Sequence, residues 1–494
     1  MLEQAKLNDS EILSGADLVS QATLSGLTAD SRKVEPGFLF AALPGSKADG
    51  RLFIDEALAR GAAAILAPPG TVADSVAGRA PLITDPNPRR ALARLAAAFY
   101  GRQPETLVAV TGTSGKTSVA HFTLGLWQAA GQVAASLGTL GLKPEGAIVD
   151  APASLTTPDP VALMQALAAL ANAGFDHAVM EASSHGLDQY RLDGVRLQAA
   201  CFTNLSHEHL DYHETLERYF AAKRRLFAEL LPAGATAVLN ADAPQSMELA
   251  GISRERGQRL ITFGSGAGAD LALLERRPTA AGQALRLSLF GRPHEVELPF
   301  FGAFQAMNLL AALGLVVGSG TPMGQVLPAL SRLQVVPGRM EPVAVTPSGG
   351  RVFVDYAHKP AALAAVLESL RPHTRGRLWV VFGCGGDRDR AKRPIMGEIA
   401  QRLADQVIVT DDNPRGEAPE AIRAAILEAC PRALELGDRR AAIAAAMMGL
   451  MAGDVLVIAG KGHESGQIVG TRVVPFDDRI VACEVVRELG RLAS

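Results

Sequence analysis

A short glycine-bearing stretch constrains this chain more than any other feature. Leu107–Thr111 is an apolar run rich in β-formers; Gly112-Thr113-Ser114-Gly115-Lys116-Thr117-Ser118 follows at once, and then the helical pattern AHFTLGLWQAAG. A glycine-rich turn from strand to helix aims backbone N–H groups and the positive helix end at one spot, which suits a phosphate. Lys116 would reach the terminal phosphates, and Thr117 would offer its hydroxyl to Mg2+. The general phosphate-loop pattern asks for glycine at position 110, where this chain has Val110, so the shorter GxxGKS/T remains. The plain alternative is a glycine turn with a solvated lysine; the flanking strand and helix favour the nucleotide loop.

The same alternation recurs: apolar run, polar or glycine-rich loop, alanine-rich helical stretch. It predicts α/β units on largely parallel sheets, with strands at Leu107–Thr111, His177–Met180, Ala199–Thr203, Val352–Asp355, Leu378–Phe382, Gln406–Thr410 and Val455–Ala459. Ligands in such sheets sit at the carboxyl ends of the strands. At 494 residues, about three domains are expected. The Gly/Pro-bearing breaks YGRQPE (Tyr100–Glu105) and VPGR (Val336–Arg339) divide the chain at 1–103, 104–338 and 339–494.

Composition removes several classes. With 48 basic against 51 acidic residues, no cationic excess exists for a generic nucleic-acid binder. The four cysteines form no CxxC pair, so neither a disulfide framework nor a zinc site is indicated, and buried free thiols are expected. The polar start MLEQAKLNDSEI is unlike a signal peptide. Leu309–Gly318 and Ala441–Ala452 fall short of the ~18 apolar residues a membrane span needs; the second reads as a buried helix. A soluble cytoplasmic protein is expected, with no membrane partner.

Two further stretches carry chemistry. Glu181 closes the strand His177–Met180, where a carboxylate beside a phosphate loop is a natural Mg2+ ligand. Phe202-Thr203-Asn204-Leu205-Ser206-His207-Glu208-His209-Leu210-Asp211 packs acids and imidazoles together. Alone, the first reads as a solvated acid and the second as a polar loop.

Together with GTSGKTS, the segments MEASSHGLDQYR (Met180–Arg191), TNLSHEHLDYH (Thr203–His213) and YFAAKRRLF (Tyr219–Phe227) resemble the Mur ligases of peptidoglycan synthesis. ADSRKVEPGFLF (Ala29–Phe40), SLTTPDP (Ser154–Pro160), VPGRME (Val336–Glu341), VDYAHKP (Val354–Pro360), VFGCGGDRDRAKRP (Val381–Pro394), TDDNPRGE (Thr410–Glu417) and AGKGHE (Ala459–Glu464) resemble the third ligase of that series. The resemblance implies a UDP-binding N-terminal domain, an ATPase-like central domain and a Rossmann-like C-terminal domain. It further implies an amino acid joined to the D-glutamate carboxylate of UDP-MurNAc-L-Ala-D-Glu while ATP becomes ADP and phosphate, through an acyl phosphate. The enzyme's work would be positioning and charge neutralisation.

By matching motif, Gly112 to Ser118 would hold ATP, with Asn308, Arg339, Asp355 and Lys392 near the adenine nucleotide. Thr117 and Glu181 would bind Mg2+, His209 would support a second metal, and Lys223 would be the lysine carbamylated by CO2, able as an anion to ligate metal. Ala29, Ser31 and Ser46-Lys47-Ala48 would face the uridine nucleotide; Thr156, Thr157, Ser183, Gln189 and Arg191 would hold the muramoyl-dipeptide. Arg388, Asp412, Asn413, Pro414, Arg415, Gly460 and Glu464 would read meso-diaminopimelate, with the guanidinium of Arg415 paired to the distal carboxylate and Glu464 suited to its ammonium. Ser114 stands where Asn is usual, Leu155 where some members place Asn, and Gln305 where Asn is commoner, leaving the role of Gln305 open. The rivals are a sister ligase adding L-lysine, a folylpolyglutamate-type ligase, and a nucleotide switch that forms no amide bond. A monomer is expected.

Overall fold

A computed structural model describes residues 24–45, 48–71, 76, 79–144, 155–206 and 208–493. The fold is α/β. The chain forms two compact units, Met1–Ile261 with Gly314–Pro322, and Thr262–Leu313 with Met323–Ser494.

The first unit carries two sheets. Strands β1 (Gly26–Thr28), β2 (Phe38–Ala41), β3 (Ala64–Ala67) and β4 (Leu82–Thr84) pair in parallel in that order. The second sheet contains β5 (Thr106–Thr111), β6 (Ala134–Gly138), β7 (Gly141–Lys143), β8 (His177–Glu181), β9 (Leu197–Phe202) and β10 (Thr236–Asn240), in the order β10-β9-β5-β8-β6-β7. β5 pairs in parallel with β8 and β9, and the register sets Val110 beside Glu181 and Thr111 beside Phe202. Three strands thus end on one edge, and the loops that follow them meet there. The helix Lys116–Ala129 buries Val119, Phe122, Leu126 and Trp127. Each such side chain contributes about 1.5–3 kcal/mol, enough to anchor the phosphate loop from its helical side.

In the second unit β12 (Leu271–Thr279), β13 (Gly282–Leu289) and β14 (Arg292–Leu298) form an antiparallel meander, following β11 (Arg259–Gly264). A six-stranded sheet contains β15 (Glu341–Val345), β16 (Arg351–Asp355), β17 (Leu378–Phe382), β18 (Gln406–Val409), β19 (Leu434–Glu435) and β20 (Val455–Ala459), in the order β15-β16-β20-β17-β18-β19. Only β15 runs antiparallel. Asp355 pairs with Ala459 and Phe382 with Val409, so the loops from Tyr356, Gly383, Thr410 and Gly460 leave the same edge. A hairpin of β21 (Gly466–Val469) and β22 (Arg472–Pro475) follows.

The seven strands expected from sequence all form, each within two residues of its expected ends. The Ala441–Ala452 stretch is helical over Arg439–Met448 and buries Ala442, Ile443, Ala446 and Met447, with Leu450 buried beyond its end, while Met448 and Met451 are exposed. Cys201, Cys384 and Cys430 are buried thiols, whereas Cys483 is half-buried because it lies on the amphipathic helix Asp478–Ala493. No helix among the described residues is long and apolar enough to cross a membrane.

Candidate functional site

The phosphate loop is braced by the segment after β9. Gly112 has a φ of 148°, and a Cβ there would lie 1.9 Å from Thr203 Oγ1; Gly115 caps the helix in the left-handed region at φ 90°. Only glycine meets both demands cheaply. Thr203 Oγ1 donates to the Ser114 carbonyl at 2.7 Å, and Asn204 accepts from Thr113 N and, through Oδ1, from Ser114 N, each at 2.9 Å. Ser206 N donates to Thr113 Oγ1 at 3.0 Å. Lys116 Nζ folds over the loop and donates to the carbonyls of Gly112 (2.8 Å) and Thr113 (3.1 Å).

Beside the loop, Thr117 Oγ1 donates to Glu181 Oε2 at 3.1 Å. Glu181 is buried; its Oε1 accepts from Thr139 N at 2.7 Å and its Oε2 from Thr139 Oγ1 at 3.2 Å. Gly138 makes room, since a Cβ there would lie 2.3 Å from Glu181 Oε1. A hydroxyl and a carboxylate, both hard oxygen donors at the edge of a phosphate loop, fit Mg2+, which completes its shell with phosphate oxygens and water.

Lys223 is not a surface lysine. It is 1% exposed, its Nζ donates to the Gly112 carbonyl at 2.8 Å, and it lies 4.3 Å from the centre of the Tyr219 ring. Burial, with the ammonium of Lys116 nearby, holds its amine well below the usual lysine range. Its helix, Leu216–Arg225, is capped by Thr215 and runs into one π turn, Leu226–Leu230. At the far end Arg225 donates to Asp193 Oδ2 at 3.2 Å and stacks over Tyr190.

His209 pairs with Glu208 at 2.9 Å, and its ring lies 4.9 Å from that of His185, among Tyr212, His213 and Tyr219. Burial first, then His209, pushes His185 down to about 4. Among the described residues no group of three or more His, Cys, Asp or Glu side chains is placed to hold a metal ion by itself.

The dipeptide-reading candidates share one network. Thr157 Oγ1 donates to the Glu181 carbonyl at 2.8 Å and lies 3.0 Å from Ser183 Oγ, and Ser183 caps the helix Ser184–Asp188 through Gly186 N. Arg191 donates to the Thr157 carbonyl at 2.6 Å and to Gln189 Oε1 at 2.7 Å; Thr156 meets Thr139 at 3.2 Å. Ala29 follows β1, and the buried Ser31 donates to Glu56 Oε2 at 2.9 Å. Ala48 is exposed; Ser46 and Lys47 lie outside the described residues.

In the second unit, Asn308 Nδ2 donates to Gln305 Oε1 at 3.0 Å, both buried, so Gln305 fixes the amide of Asn308. Arg339 stacks 4.4 Å over Tyr356, and Asp355 accepts from the amides of Met340 and Ala357, each at 2.7 Å. Burial pushes the Asp355 carboxyl up to about 6 against the opposing pull of Arg339 and both amides. Lys392 Nζ donates to the His358 carbonyl at 2.8 Å, which joins it to the loop after β16.

Three loops from the same edge interlock. Arg415, at φ 53°, donates through Nη1 to the Gly386 carbonyl at 2.9 Å, while Nε and Nη2 bond no described residue. A Cβ at Gly386 would lie 1.9 Å from the Pro414 carbonyl. Glu417 receives Arg393 Nη2 at 2.9 Å and Asp387 N at 2.7 Å, and Asp387 accepts Gly416 N at 2.9 Å. Asn413 Nδ2 donates to Glu464 Oε2 at 3.0 Å. Gly460, at φ 117°, lets Asp412 approach: a Cβ there would lie 2.6 Å from Asp412 Oδ2. Beneath, the fully buried Arg439 grips Asp478 with two bonds of 2.7 and 2.8 Å and donates to the Ala459 carbonyl at 3.0 Å. Arg388 stays exposed, without a polar partner among the described residues. Tyr190, His209, Asp387 and Arg415 all hold positive φ without being glycine, a strain that collects at functional sites.

Sequence reading passed over Thr139, Asn204, Lys461 and Glu417. Asn204, Lys461 and Glu417 sit inside motifs that were singled out; nothing in the local sequence marks Thr139 as a partner of Glu181.

Comparison with known proteins agrees in every segment. Residues 23–100 match "Mur ligase family, catalytic domain", 110–316 match "Mur ligase middle domain" and 338–462 match "Mur ligase, glutamate ligase domain". UDP-N-acetylmuramoyl-L-alanyl-D-glutamate–2,6-diaminopimelate ligase of Rhizobium meliloti (strain 1021) is 53% identical over 469 residues, covering 95% of each chain. A solved structure of a ligase with that same name is 34% identical, with a TM-score of 0.69 over 94% of this chain and 95% of its own. MurF ligase from Thermotoga maritima, in complex with ADP, shares the fold at 21% identity, with a TM-score of 0.64 over 95% of this chain and 98% of its own. With its phosphate loop, its strand-end carboxylate and all three segments matched, this chain belongs to the Mur ligase family.

Proposed function

We propose that this chain is an ATP-dependent ligase that attaches meso-diaminopimelate to the D-glutamyl carboxylate of UDP-MurNAc-L-Ala-D-Glu in the cytoplasm. The observation that carries the choice of amino acid is the coupling of Arg415 to Glu464 through Asn413: Arg415 Nη1 meets the Asn413 carbonyl at 3.4 Å, and the Asn413 side chain donates to Glu464. A cation and a carboxylate tied to the same asparagine match an end that carries both a carboxylate and an ammonium. L-lysine offers only the ammonium, and would leave Arg415 desolvated and unpaired.

The work divides over segments 1–103, 104–338 and 339–494, which hold the uridine nucleotide, ATP and the amino acid in turn. An unactivated carboxylate is a poor acyl donor, so the γ-phosphoryl group of ATP passes to it first. The amine then attacks the acyl carbon, and phosphate leaves. Lys116 neutralises charge on the phosphoryl group in flight, and the loop amides fix its line of approach. Thr117 and Glu181 hold Mg2+, which supplies charge neutralisation on the phosphates. Thr156, Thr157, Ser183, Gln189 and Arg191 orient the muramoyl-dipeptide. The depressed basicity of Lys223 leaves its amine unprotonated enough to add CO2: nitrogen bonds carbon as one C=O π pair moves onto oxygen, a proton passes from nitrogen to solvent, and a carbamate replaces the amine. Asn308, Arg339, Asp355 and Lys392 border the adenine nucleotide.

The test measures phosphate release while each substrate is omitted in turn, with the product identified by mass. Release should require ATP, Mg2+, the muramoyl-dipeptide and meso-diaminopimelate together. Release that ignores the muramoyl substrate would make the chain a nucleotide switch.

A further inference from the structure

Lys461 lies in the loop after β20, between Gly460 and Glu464, two of the residues expected to read the amino acid, and it is fully buried. Its ammonium spends its hydrogens on Asn413 Oδ1 (3.2 Å), Glu464 Oε2 (3.2 Å) and the Gly466 carbonyl (2.6 Å). Asn413 Oδ1 also accepts Ile468 N at 2.9 Å. Two donors on that oxygen dictate the amide's orientation, so Nδ2 must face Glu464. Glu464 Oε2 therefore receives two donors, while Oε1 bonds no described residue and the side chain is 34% exposed. A buried ammonium carries a large desolvation cost, and the chain retains it where an apolar residue could fill the space.

We propose that Lys461 is a specificity-determining residue for the amino-acid substrate: it cancels the charge of Glu464 and locks Asn413, so that the pocket accepts a zwitterionic end and rejects a bare ammonium. With Lys461 present, Glu464 is a neutralised acceptor joined to Arg415 through Asn413, and only a ligand with a carboxylate for the arginine and an ammonium for Glu464 Oε1 satisfies both. Without it, Glu464 becomes an uncompensated anion that draws any cation. The inference rests on the function proposed above and adds a residue to its selection step.

The experiment compares kcat/KM for meso-diaminopimelate and for L-lysine in wild type, Lys461→Met and Asn413→Asp. Lys461→Met removes the charge at similar length; Asn413→Asp leaves the lysine in place but spends its charge on a second carboxylate. Both should reduce discrimination against L-lysine by about tenfold or more, as expected when a matched polar contact is lost. The KM values for ATP and the muramoyl-dipeptide should stay within about twofold, which separates selection from general damage. If Lys461→Met does not fold, Asn413→Asp decides. Folded variants that keep wild-type discrimination overturn the role of Lys461. Wild type that fails to prefer meso-diaminopimelate overturns the parent reading instead.

Discussion

The edge of the first unit's main sheet and the edge of the six-stranded sheet in the second unit are built on opposite electrostatic plans. At the first, two lysine ammoniums, Lys116 and Lys223, converge on one carbonyl, that of Gly112. Both ammoniums meet that carbonyl dipole, and burial pushes Lys223 toward neutrality. At the second, cations meet carboxylates: Lys461 with Glu464, Arg439 with Asp478, Arg393 with Glu417. An edge that gathers two lysines on one backbone carbonyl is suited to anions that arrive and depart, such as phosphoryl groups. A compensated edge binds little by charge alone, and instead discriminates by pattern.

The sharpest way to break this contrast is Arg415→Ala. Removing the fork from a compensated pocket should cost selectivity rather than chemistry, and discrimination between meso-diaminopimelate and L-lysine should fall by up to ~10⁴. Competition between the two amino acids, with products resolved by mass, checks it; unchanged selectivity would dissolve the contrast. Next comes Lys116→Ala on the phosphate-loop edge. Here turnover should fall by about 3 kcal/mol of transition-state stabilisation, roughly 10²–10³-fold, with muramoyl-substrate affinity nearly intact. Equilibrium binding alongside single-turnover phosphate release reads both. Lys223→Ala should lose activity to a similar degree, and a short carboxylic acid should restore part of it by occupying the space of the carbamate. No recovery over a concentration series would leave Lys223 as a bracing residue alone.

The smallest effect concerns Asp355, a buried carboxyl with partial compensation. Its folded pKa of about 6 lies above its ordinary value of 3.8, so the folded state holds the proton more tightly than the unfolded chain. That contribution is complete below the ordinary value and is lost as pH rises through about 6. It amounts to roughly 3 kcal/mol in full, of which about 2 kcal/mol is present at pH 4.5. Denaturant titrations at pH 4.5 and 7.5 should show the wild type losing this increment while Asp355→Asn does not.

What the sequence revealed divides along the same line. GTSGKTS is contiguous, and its function lies in backbone N–H groups, so spacing alone exposes it. The strands were legible because apolar runs in parallel sheets are buried on both faces. From the local sequence KRR alone, Lys223 reads as one more solvated cation of a basic helix face, and only its motif singled it out; packing against Tyr219 and Gly112 removes it from water. The second edge joins loops after β17, β18 and β20, which lie dozens of residues apart. Arg439 and Asp478 are 39 positions apart with nothing in either neighbourhood to announce the other. Satisfied networks leave no local trace, because each member's reason for being polar lies elsewhere in the chain.

The π turn at Leu226–Leu230 has a bearing on how this protein can change over generations. Thr215 fixes the start of the preceding helix, and Arg225, gripped by Asp193, fixes its end. The wider turn absorbs a residue that a regular helix of the same span would not hold. Losing or gaining one residue here would rotate one side against the other by about 100°. Either Lys223 would swing away from Gly112, or Leu226, Phe227 and Leu231 would leave the core. Descendants of this chain are therefore free to vary in length in an exposed loop such as 265–268, whereas between Thr215 and Leu231 they can exchange side chains but must keep count.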